Sequence, residues 1–462
     1  MISNYFSSLF YFITVFLLSC STVTKNSKIY FGGKIINPKS NHVVLFKSGK
    51  IIDTILLDKN NRFLKKFENL KEGYYYFNHG IESQYMYLEE NDSLMLRLNT
   101  WDFDESLVFA GKGAERNNIL IDCFLEDERD NIFFSEIALL EPHHFKHKID
   151  SLLSQKNEAY NNYILSHPSE TKGFKTMLKI ALTYPIFSRI ENYPIIHIRR
   201  TTDTIFHSIE DFFTHRKDIQ INNNNLMYYP PYAKYVRDYL YNETYALGHS
   251  SKSTEYSSNF TTDLLHIINN KIESETSKNA FLKQTVLWHF FKKSSCDVNE
   301  KPFEIFFDLS TNKEDITQLE RLLKDIKKLH KNNKLPNFYT FDVNGKKQLS
   351  KNLTQKRKCL IFFWNPKYVS KEYIASRINY LQIKYSKIEF LTVKIDGNNN
   401  DIIPNLDVKN QFFIETKNEF NQFLTCKMPR SIIVDEKGII LNGYASISSR
   451  KLNDQLYEFC KY

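Results

Sequence analysis

The sequence contains no Cys-x-x-Cys pair, and its cysteines are few and widely spaced. Without such a pair, the common zinc-binding and dithiol motifs are excluded. The six cysteines are Cys20, Cys123, Cys296, Cys359, Cys426 and Cys460. If Cys20 is not counted, five cysteines remain. An odd number leaves at least one thiol without a disulfide partner in the same chain.

Concentrated charge is also missing. The net charge of +9 is small for 462 residues, and the 62 basic side chains are scattered among 53 acidic ones. A nucleic-acid-binding protein usually gathers its lysines and arginines on one face or segment, so we expect no nucleic-acid partner. The sequence also lacks the Gly-x-Ser-x-Gly, His-Glu-x-x-His and P-loop motifs. It therefore predicts no cofactor and no metal site.

The first 24 residues carry no charged side chain, and they include one apolar run, Leu9–Leu18, that is too short to cross a bilayer. The segment Leu17-Leu18-Ser19-Cys20 resembles the bacterial lipobox, in which the cysteine is acylated and the signal is cut before it. This resemblance predicts a signal peptide over 1–19 and a lipidated Cys20 with a small polar tether over 20–27. A plain secretory signal or an uncleaved anchor is the alternative.

The lipid anchor would place the protein in the cell envelope. No aspartate directly follows Cys20, which favours an outer-membrane lipoprotein that faces the periplasm. The expected partners are the membrane, through the lipid, and an extended peptide or another envelope protein.

The rest of the chain predicts a multi-domain α+β fold in three parts. Turn residues separate short strands about ten residues apart, which predicts an antiparallel β domain over 28–112. Apolar residues at helical spacing predict a mainly α-helical region over 113–333. Prolines at 142, 168, 185, 194 and 230–231 are expected to break this region into pieces. Strands and helices alternate over 334–462, which predicts an α/β domain.

Two features of the helical region stand out. One helix is predicted to be well buried from its apolar residues Phe281, Leu282, Thr285, Leu287, Trp288 and Phe291. The segment Tyr228-Tyr229-Pro230-Pro231-Tyr232 is an aromatic-proline cluster. Such clusters can recognise extended partners, but a loop packed against a core is the more ordinary interpretation.

The order of elements over 334–462 resembles that of the TlpA-like thioredoxin-fold proteins. Leu335-Pro336-x-Phe338 is similar to that family's entry segment, and Phe362-Phe363-Trp364 is similar to its strand before the redox loop. Met428-Pro429-Arg430 resembles the loop that carries a cis-proline in that family. More loosely, the whole layout resembles lipoproteins of Bacteroidota that join a β domain and a helical region to such a domain. The resemblance implies a thioredoxin-like fold and thiol-disulfide oxidoreductase ancestry.

The loop after Trp364 departs from that family. An alignment without gaps puts Tyr368 and Lys371 where the family has the two cysteines of Cys-x-x-Cys. Dithiol exchange needs one reactive thiolate and a second thiol that resolves the mixed disulfide, and neither side chain supplies one. We therefore interpret Trp364, Tyr368 and Lys371 as a degenerate redox loop and predict no catalytic residue.

Two hypotheses follow. The first is a lipid-anchored binding or scaffold protein whose thioredoxin-like domain is not catalytic, with a peptide groove beside a cis Met428–Pro429 bond. The second is a thiol-disulfide oxidoreductase that works without a standard Cys-x-x-Cys. It would use Cys426 as a lone thiol, since Cys426 lies three residues before Pro429, or a cysteine from a partner. A small buried thiol is the more common role of such a cysteine.

Overall fold

The computed structural model describes residues 28–80, 82–203, 206–252, 257–396, 401–415 and 424–461. The predicted signal peptide over 1–19 and the whole tether over 20–27, including Cys20, lie outside these residues. The chain divides into two compact units, one of residues 1–130 and 160–181, the other of residues 131–159 and 182–462. The three-part division predicted from the sequence stays a prediction.

The N-terminal β region of the first unit consists of two four-stranded sheets. Its strands are β1 (Lys28–Ile36), β2 (His42–Lys47), β3 (Lys50–Leu56), β4 (Arg62–Glu68), β5 (Gly73–His79), β6 (Glu82–Leu88), β7 (Ser93–Asn99) and β8 (Val108–Lys112). The sheet orders are β4-β1-β7-β8 and β3-β2-β5-β6. The described pairings are antiparallel except β1 with β7, which is parallel.

The two sheets share one apolar core. In strands such as β2 and β7, alternate residues are buried, as the period of two requires. Phe31 of β1 and Phe77 of β5 are both fully buried, with their ring centroids 5.9 Å apart. Strand β8 was not predicted, because Phe109 is its one buried residue and the alternation is too short to detect.

Helices follow from residue 114 to residue 327, which confirms the mainly helical character of this region. They are α1 (Ala114–Arg129), α2 (Asn131–Ile137), α3 (Pro142–Ser166), α4 (Lys172–Arg200), α5 (Pro230–Tyr245), α6 (Ser258–Lys271), α7 (Glu275–Lys293), α8 (Lys301–Leu309) and α9 (Lys313–Lys327). No helix within the described ranges is long and apolar enough to cross a membrane.

The prediction that Pro185 and Pro194 break the helical region is wrong. Both prolines lie inside α4, which continues through them. An internal proline costs about 3 kcal/mol or more, because it removes a backbone donor and crowds the preceding turn. Burial of Ile186, Ile190 and Tyr193 on this helix offsets that cost, since each is at most 2% exposed.

The C-terminal domain is built on one seven-stranded sheet of order β10-β9-β13-β12-β11-β14-β15. Its elements are β9 (Tyr339–Asp342), β10 (Lys347–Leu349), α10 (Ser350–Thr354), β11 (Cys359–Trp364), α11 (Lys371–Lys384), β12 (Glu389–Ile395), β13 (Gln411–Ile414), β14 (Arg430–Val434), β15 (Ile440–Ala445) and α12 (Lys451–Lys461). Strands β11 and β12 are parallel and joined by α11, and β14 and β15 form an antiparallel hairpin beside β11. This arrangement, closed by α12, is thioredoxin-like, and the predicted fold class is confirmed.

Strand β11 is buried on both faces, which explains its unbroken apolar sequence. Leu360, Phe362 and Trp364 pack with residues of α11 and α12 on one face. Cys359, Ile361 and Phe363 pack on the other face with Leu329 and Phe338. Strand β13, which pairs in parallel with β12, was not predicted because four residues carry too little periodicity.

Candidate functional site

The candidate site is the loop that leaves the carboxyl end of β11. Trp364 ends the strand and is 2% exposed. The Asn365 carbonyl accepts a hydrogen bond from the Tyr368 amide at 3.0 Å, which forms a turn. The Ser370 hydroxyl then caps α11 by accepting the Tyr373 amide at 3.2 Å. Local hydrogen bonds therefore fix the shape of the loop. The loop ends at the N-terminus of a helix, which is where a thioredoxin-like protein would hold its reactive thiol.

Lys371 occupies the first position of α11. A cation there is disfavoured, because the N-terminal end of a helix carries partial positive charge. The structure places Asp401 beside it, with the Lys371 ammonium 2.8 Å from Asp401 Oδ1. The other oxygen of Asp401 contacts the ammonium of Lys394, a buried residue of β12. One carboxylate is thus shared by two lysines, of which Lys371 is at a position that the alignment gives to a cysteine.

Burial lowers the pKa of Lys394, and the positive charge of Lys371 lowers it further. The Lys394 ammonium also lies 6.0 Å from the centre of the Trp364 ring, at the limit of a cation–π contact. These contacts fix the positions of Lys371 and Lys394, and Asp401 offsets part of their positive charge. Neither lysine has chemistry that transfers electrons to a disulfide.

Tyr368 is an exposed residue of the loop, 42% accessible to solvent. Its hydroxyl is 3.5 Å from Gln318 Nε2 of α9, a long hydrogen bond. The Lys367 ammonium is 5.8 Å from the centre of the Tyr368 ring. The loop therefore presents an aromatic ring and a phenol at its surface, which suits contact with a partner more than disulfide exchange.

The described cysteines Cys123, Cys296, Cys359, Cys426 and Cys460 are all free thiols. Burial raises the pKa of Cys359 to about 12, and Cys359 begins β11, at the end opposite the loop. Cys426 is 3% exposed, and burial raises its pKa as well, although the Arg430 charge acts in the other direction. A reactive cysteine needs an accessible, low-pKa thiolate. Neither Cys359 nor Cys426 meets that requirement.

The prediction of a cis Met428–Pro429 bond is wrong. The described peptide bonds are all trans, and this bond is among them. Trans is the preferred state of an X-Pro amide by about 0.5–1 kcal/mol. Contacts from α9 bind the segment before Pro429. Those contacts come from a residue that sequence reasoning did not identify, Asp325.

Asp325 is a fully buried carboxylate on α9 that binds the segment before β14. Its Oδ1 accepts the amide and the hydroxyl of Thr425, at 3.0 and 2.6 Å. Its Oδ2 accepts the Cys426 amide and the Arg430 guanidinium, both at 2.8 Å. A sequence signal existed: Asp325 lies at helical spacing on the apolar face that carries Leu322 and Leu329. A charge on such a face is buried only when it is paired.

The backbone beside Pro429 is already hydrogen-bonded within the chain. The Met428 amide donates to the Cys426 sulfur, and the Met428 carbonyl accepts Nε of Arg430 at 3.4 Å. The carbonyl of Cys426 accepts Nη2 of Arg430. An extended peptide that pairs with this segment would have to displace these bonds, and the peptide groove stays a prediction.

Comparisons with known proteins give structural neighbours for the C-terminal domain. A Bacteroides vulgatus protein assigned to the thiol-disulfide oxidoreductases is 22% identical over 27% of this chain and 87% of its own, with a TM-score of 0.24. A Bacteroides fragilis thiol-disulfide oxidoreductase is 18% identical over 28% of this chain and 99% of its own, with a TM-score of 0.22. A Chromobacterium violaceum thiol peroxidase is 9% identical over 29% of this chain and 87% of its own, with a TM-score of 0.22. No family model and no curated protein matches the chain.

Proposed function

We propose that this protein is a lipid-anchored binding or scaffold protein of the cell envelope whose thioredoxin-like domain does not catalyse thiol-disulfide exchange. One observation carries the proposal: Lys371, at one of the two positions that the alignment gives to the family's cysteines, starts α11 and is ion-paired with Asp401 at 2.8 Å. Disulfide exchange requires a sulfur nucleophile. The position holds an ion-paired ammonium instead.

The surface chemistry of the loop supports a binding role. Tyr368 is exposed and aromatic, and tyrosine is enriched at the energetic centres of protein interfaces. The ion pairs of Asp401 with Lys371 and Lys394 hold the start of α11 and the end of β12 together, so the surface is rigid before a partner arrives. A preorganised surface loses less conformational entropy on binding.

The lipid anchor and the location rest on the N-terminal sequence. Leu9–Leu18 and Cys20 have the pattern of a lipoprotein signal, and multiple acyl chains would hold the protein stably at a membrane. We place the protein in the outer membrane, facing the periplasm.

The alternative is a thiol-disulfide oxidoreductase that uses Cys426. In its favour, the Met428 amide donates to the Cys426 sulfur and the Arg430 charge lies nearby, and both effects lower the pKa of that thiol. Burial is the larger effect and raises the pKa overall. At 3% exposure the sulfur is also screened from a substrate disulfide.

Insulin reduction with dithiothreitol as the electron source separates the two functions. The chain from Ser21 onward should give only the uncatalysed rate, because its loop has no thiol. The variant Tyr368→Cys/Lys371→Cys restores the family spacing and is the matched positive control. If the unmodified chain accelerates reduction tenfold or more and Cys426→Ser abolishes that rate, the non-catalytic proposal is wrong.

A further inference from the structure

Helix α7 buries only one side, although its sequence predicts a fully buried helix. Leu282 and Val286 are 0% exposed. In contrast, Phe281, Trp288 and Phe291 are only half-buried. These side chains line a cleft with a volume of about 620 Å³.

The cleft has walls from three parts of the second unit. Met227 and Tyr228, just before α5, form one wall, the half-buried side chains of α7 form another, and Asp315 lies in the first turn of α9. Its volume falls within the range of roughly 300–1,000 Å³ that is typical of small-molecule sites. Aromatic and aliphatic side chains dominate the lining, as they do in such sites. The cleft is therefore a candidate ligand site, separate from the loop after β11.

The charge of the cleft restricts the ligand. Among the described residues that line it, Lys283 and Asp315 are the charged ones. Their charged atoms are 2.7 Å apart, and the side chains are 27% and 13% exposed. An ion pair that neutralises itself offers no net charge to a ligand, and a charged ligand would have to compete with it. A neutral cleft is complementary to a neutral molecule.

The cleft suits a free molecule better than an extended peptide. Its lining residues from Thr276 to Phe291 lie in α7, and Ala233 and Asp315 lie in α5 and α9. Backbone groups inside a helix are bonded to one another, whereas extended peptides gain affinity by pairing with a free strand edge. Thr276 and Gln284 offer polar side chains that could orient one hydroxyl or carbonyl group.

Two features make the cleft suitable for binding aromatic or branched hydrocarbon groups. The Arg237 guanidinium lies 5.5 Å from the centre of the Trp288 ring, a cation–π contact that restricts the indole. Met227 adds a flexible, polarisable wall, which adapts to irregular shapes. Rigid aromatic surface beside one adaptable side chain is well suited to an apolar ligand.

A second cavity gives no comparable ligand chemistry. It has a volume of about 680 Å³ and lies at the end of the sheet opposite the loop. Its lining includes Lys331, Lys358 and Lys437 together with Asp435, Glu436 and Glu458. Mixed charges of both signs select no single class of molecule.

We infer that the cleft between the segment before α5, helix α7 and the first turn of α9 binds an uncharged, largely apolar small molecule that carries aromatic or branched hydrocarbon groups. The inference goes beyond the proposed function. It does not depend on the loop after β11, so the insulin assay leaves it unaffected.

The test uses the neutral fluorescent probe N-phenyl-1-naphthylamine with the chain from Ser21 onward. We expect saturable binding of one probe per chain, with quenching of Trp288 emission by energy transfer to the probe. The anionic probe 8-anilinonaphthalene-1-sulfonate should bind at least tenfold more weakly. Ala280 and Gln284 are exposed residues of α7 that line the cleft, so Ala280→Phe and Gln284→Phe should each fill it and weaken binding at least tenfold.

Lys292→Phe is the matched control, because Lys292 is exposed on the same helix and is not among the lining residues. It should leave binding within twofold of the unmodified chain. The far-ultraviolet circular dichroism spectrum of each variant checks its fold. Two independent filling variants are used so that the test still works if one of them does not fold. Unsaturable binding, equal affinity for the two probes, or full affinity in both folded filling variants would overturn the inference.

Discussion

The carboxylate of Asp325 and the guanidinium of Arg430 form a hydrogen-bonded ion pair at 2.8 Å, with both side chains fully buried. Asp325 lies on α9 and Arg430 begins β14, so the pair ties a helix of the middle region to the sheet of the thioredoxin-like domain. The removal of one partner from a buried pair typically costs about 3–5 kcal/mol, because the other charge is left uncompensated.

Asp325→Ala should therefore lower the free energy of unfolding of the second unit by about 3–5 kcal/mol. Urea unfolding followed by tryptophan fluorescence measures the loss. The exposed pair of Lys327 with Glu300, on the same helix, is the control, since its side chains are 55% and 44% exposed. Lys327→Ala should cost less than about 1 kcal/mol. Equal losses in the two variants would show that Asp325 has no special structural role.

Arg116 forms ion pairs with three carboxylates in the first unit. Its guanidinium nitrogens lie 2.8 Å from Glu89, 2.7 Å from Asp92 and 3.2 Å from Glu170. Arg116→Met would leave these acids without a cation in a largely buried site. We expect a loss of about 3–5 kcal/mol at pH 7 in urea unfolding. Arg97→Met, at an exposed position of β7, should change stability by less than about 0.5 kcal/mol.

The effect of Arg116→Met should depend on pH. Burial raises the pKa of Glu89 and of Asp92 even with Arg116 present. Acidification towards those raised pKa values adds protons to the folded state first, which removes negative charge from the cluster. The loss caused by Arg116→Met should therefore be smaller at pH 5 than at pH 7. A larger loss at pH 5 would contradict this account.

Glu191 should make the second unit sensitive to acid. Burial raises the pKa of Glu191, but hydrogen bonds from Arg216 and His215 outweigh that effect and hold it below its ordinary value of 4.5. The unfolded chain then binds a proton at a higher pH than the folded chain, so the stabilisation is present above pH 4.5 and is lost as the pH falls through the folded pKa.

The variant Glu191→Gln tests the direction of this pH dependence of stability. The variant should be less stable than the unmodified protein at pH 7, because Arg216 and His215 lose their anionic partner. It should also lose less stability between pH 6 and pH 3.5, because it lacks the titrating group. Urea midpoints at the two pH values measure both effects. A steeper loss in Glu191→Gln would mean that the linkage has the opposite sign.

Cys20 should carry the lipid. In cells grown with radiolabelled palmitate, the unmodified chain should incorporate label and remain with the membrane fraction. Cys20→Ser should lose the label and the membrane association. Cys123→Ser is the matched control, because Cys123 is a buried thiol within α1, and it should keep both. Retained label in Cys20→Ser would show that the lipobox interpretation is wrong.

The sequence alone determined that strands and helices alternate in the thioredoxin-like domain, although the short strand β13 was not predicted. The apolar run Cys359–Trp364 is a strand, and a helix begins at Lys371 after the loop. It also determined that the loop between them contains no thiol. These properties depend on residues close together in the chain, where apolar periodicity and composition act directly.

Only the tertiary structure decided which distant groups meet. Asp325 and Arg430 are 105 residues apart in the chain, and Asp401 reaches Lys371 across 30 residues. Local periodicity does not specify such partners, because many pairings share the same residue types.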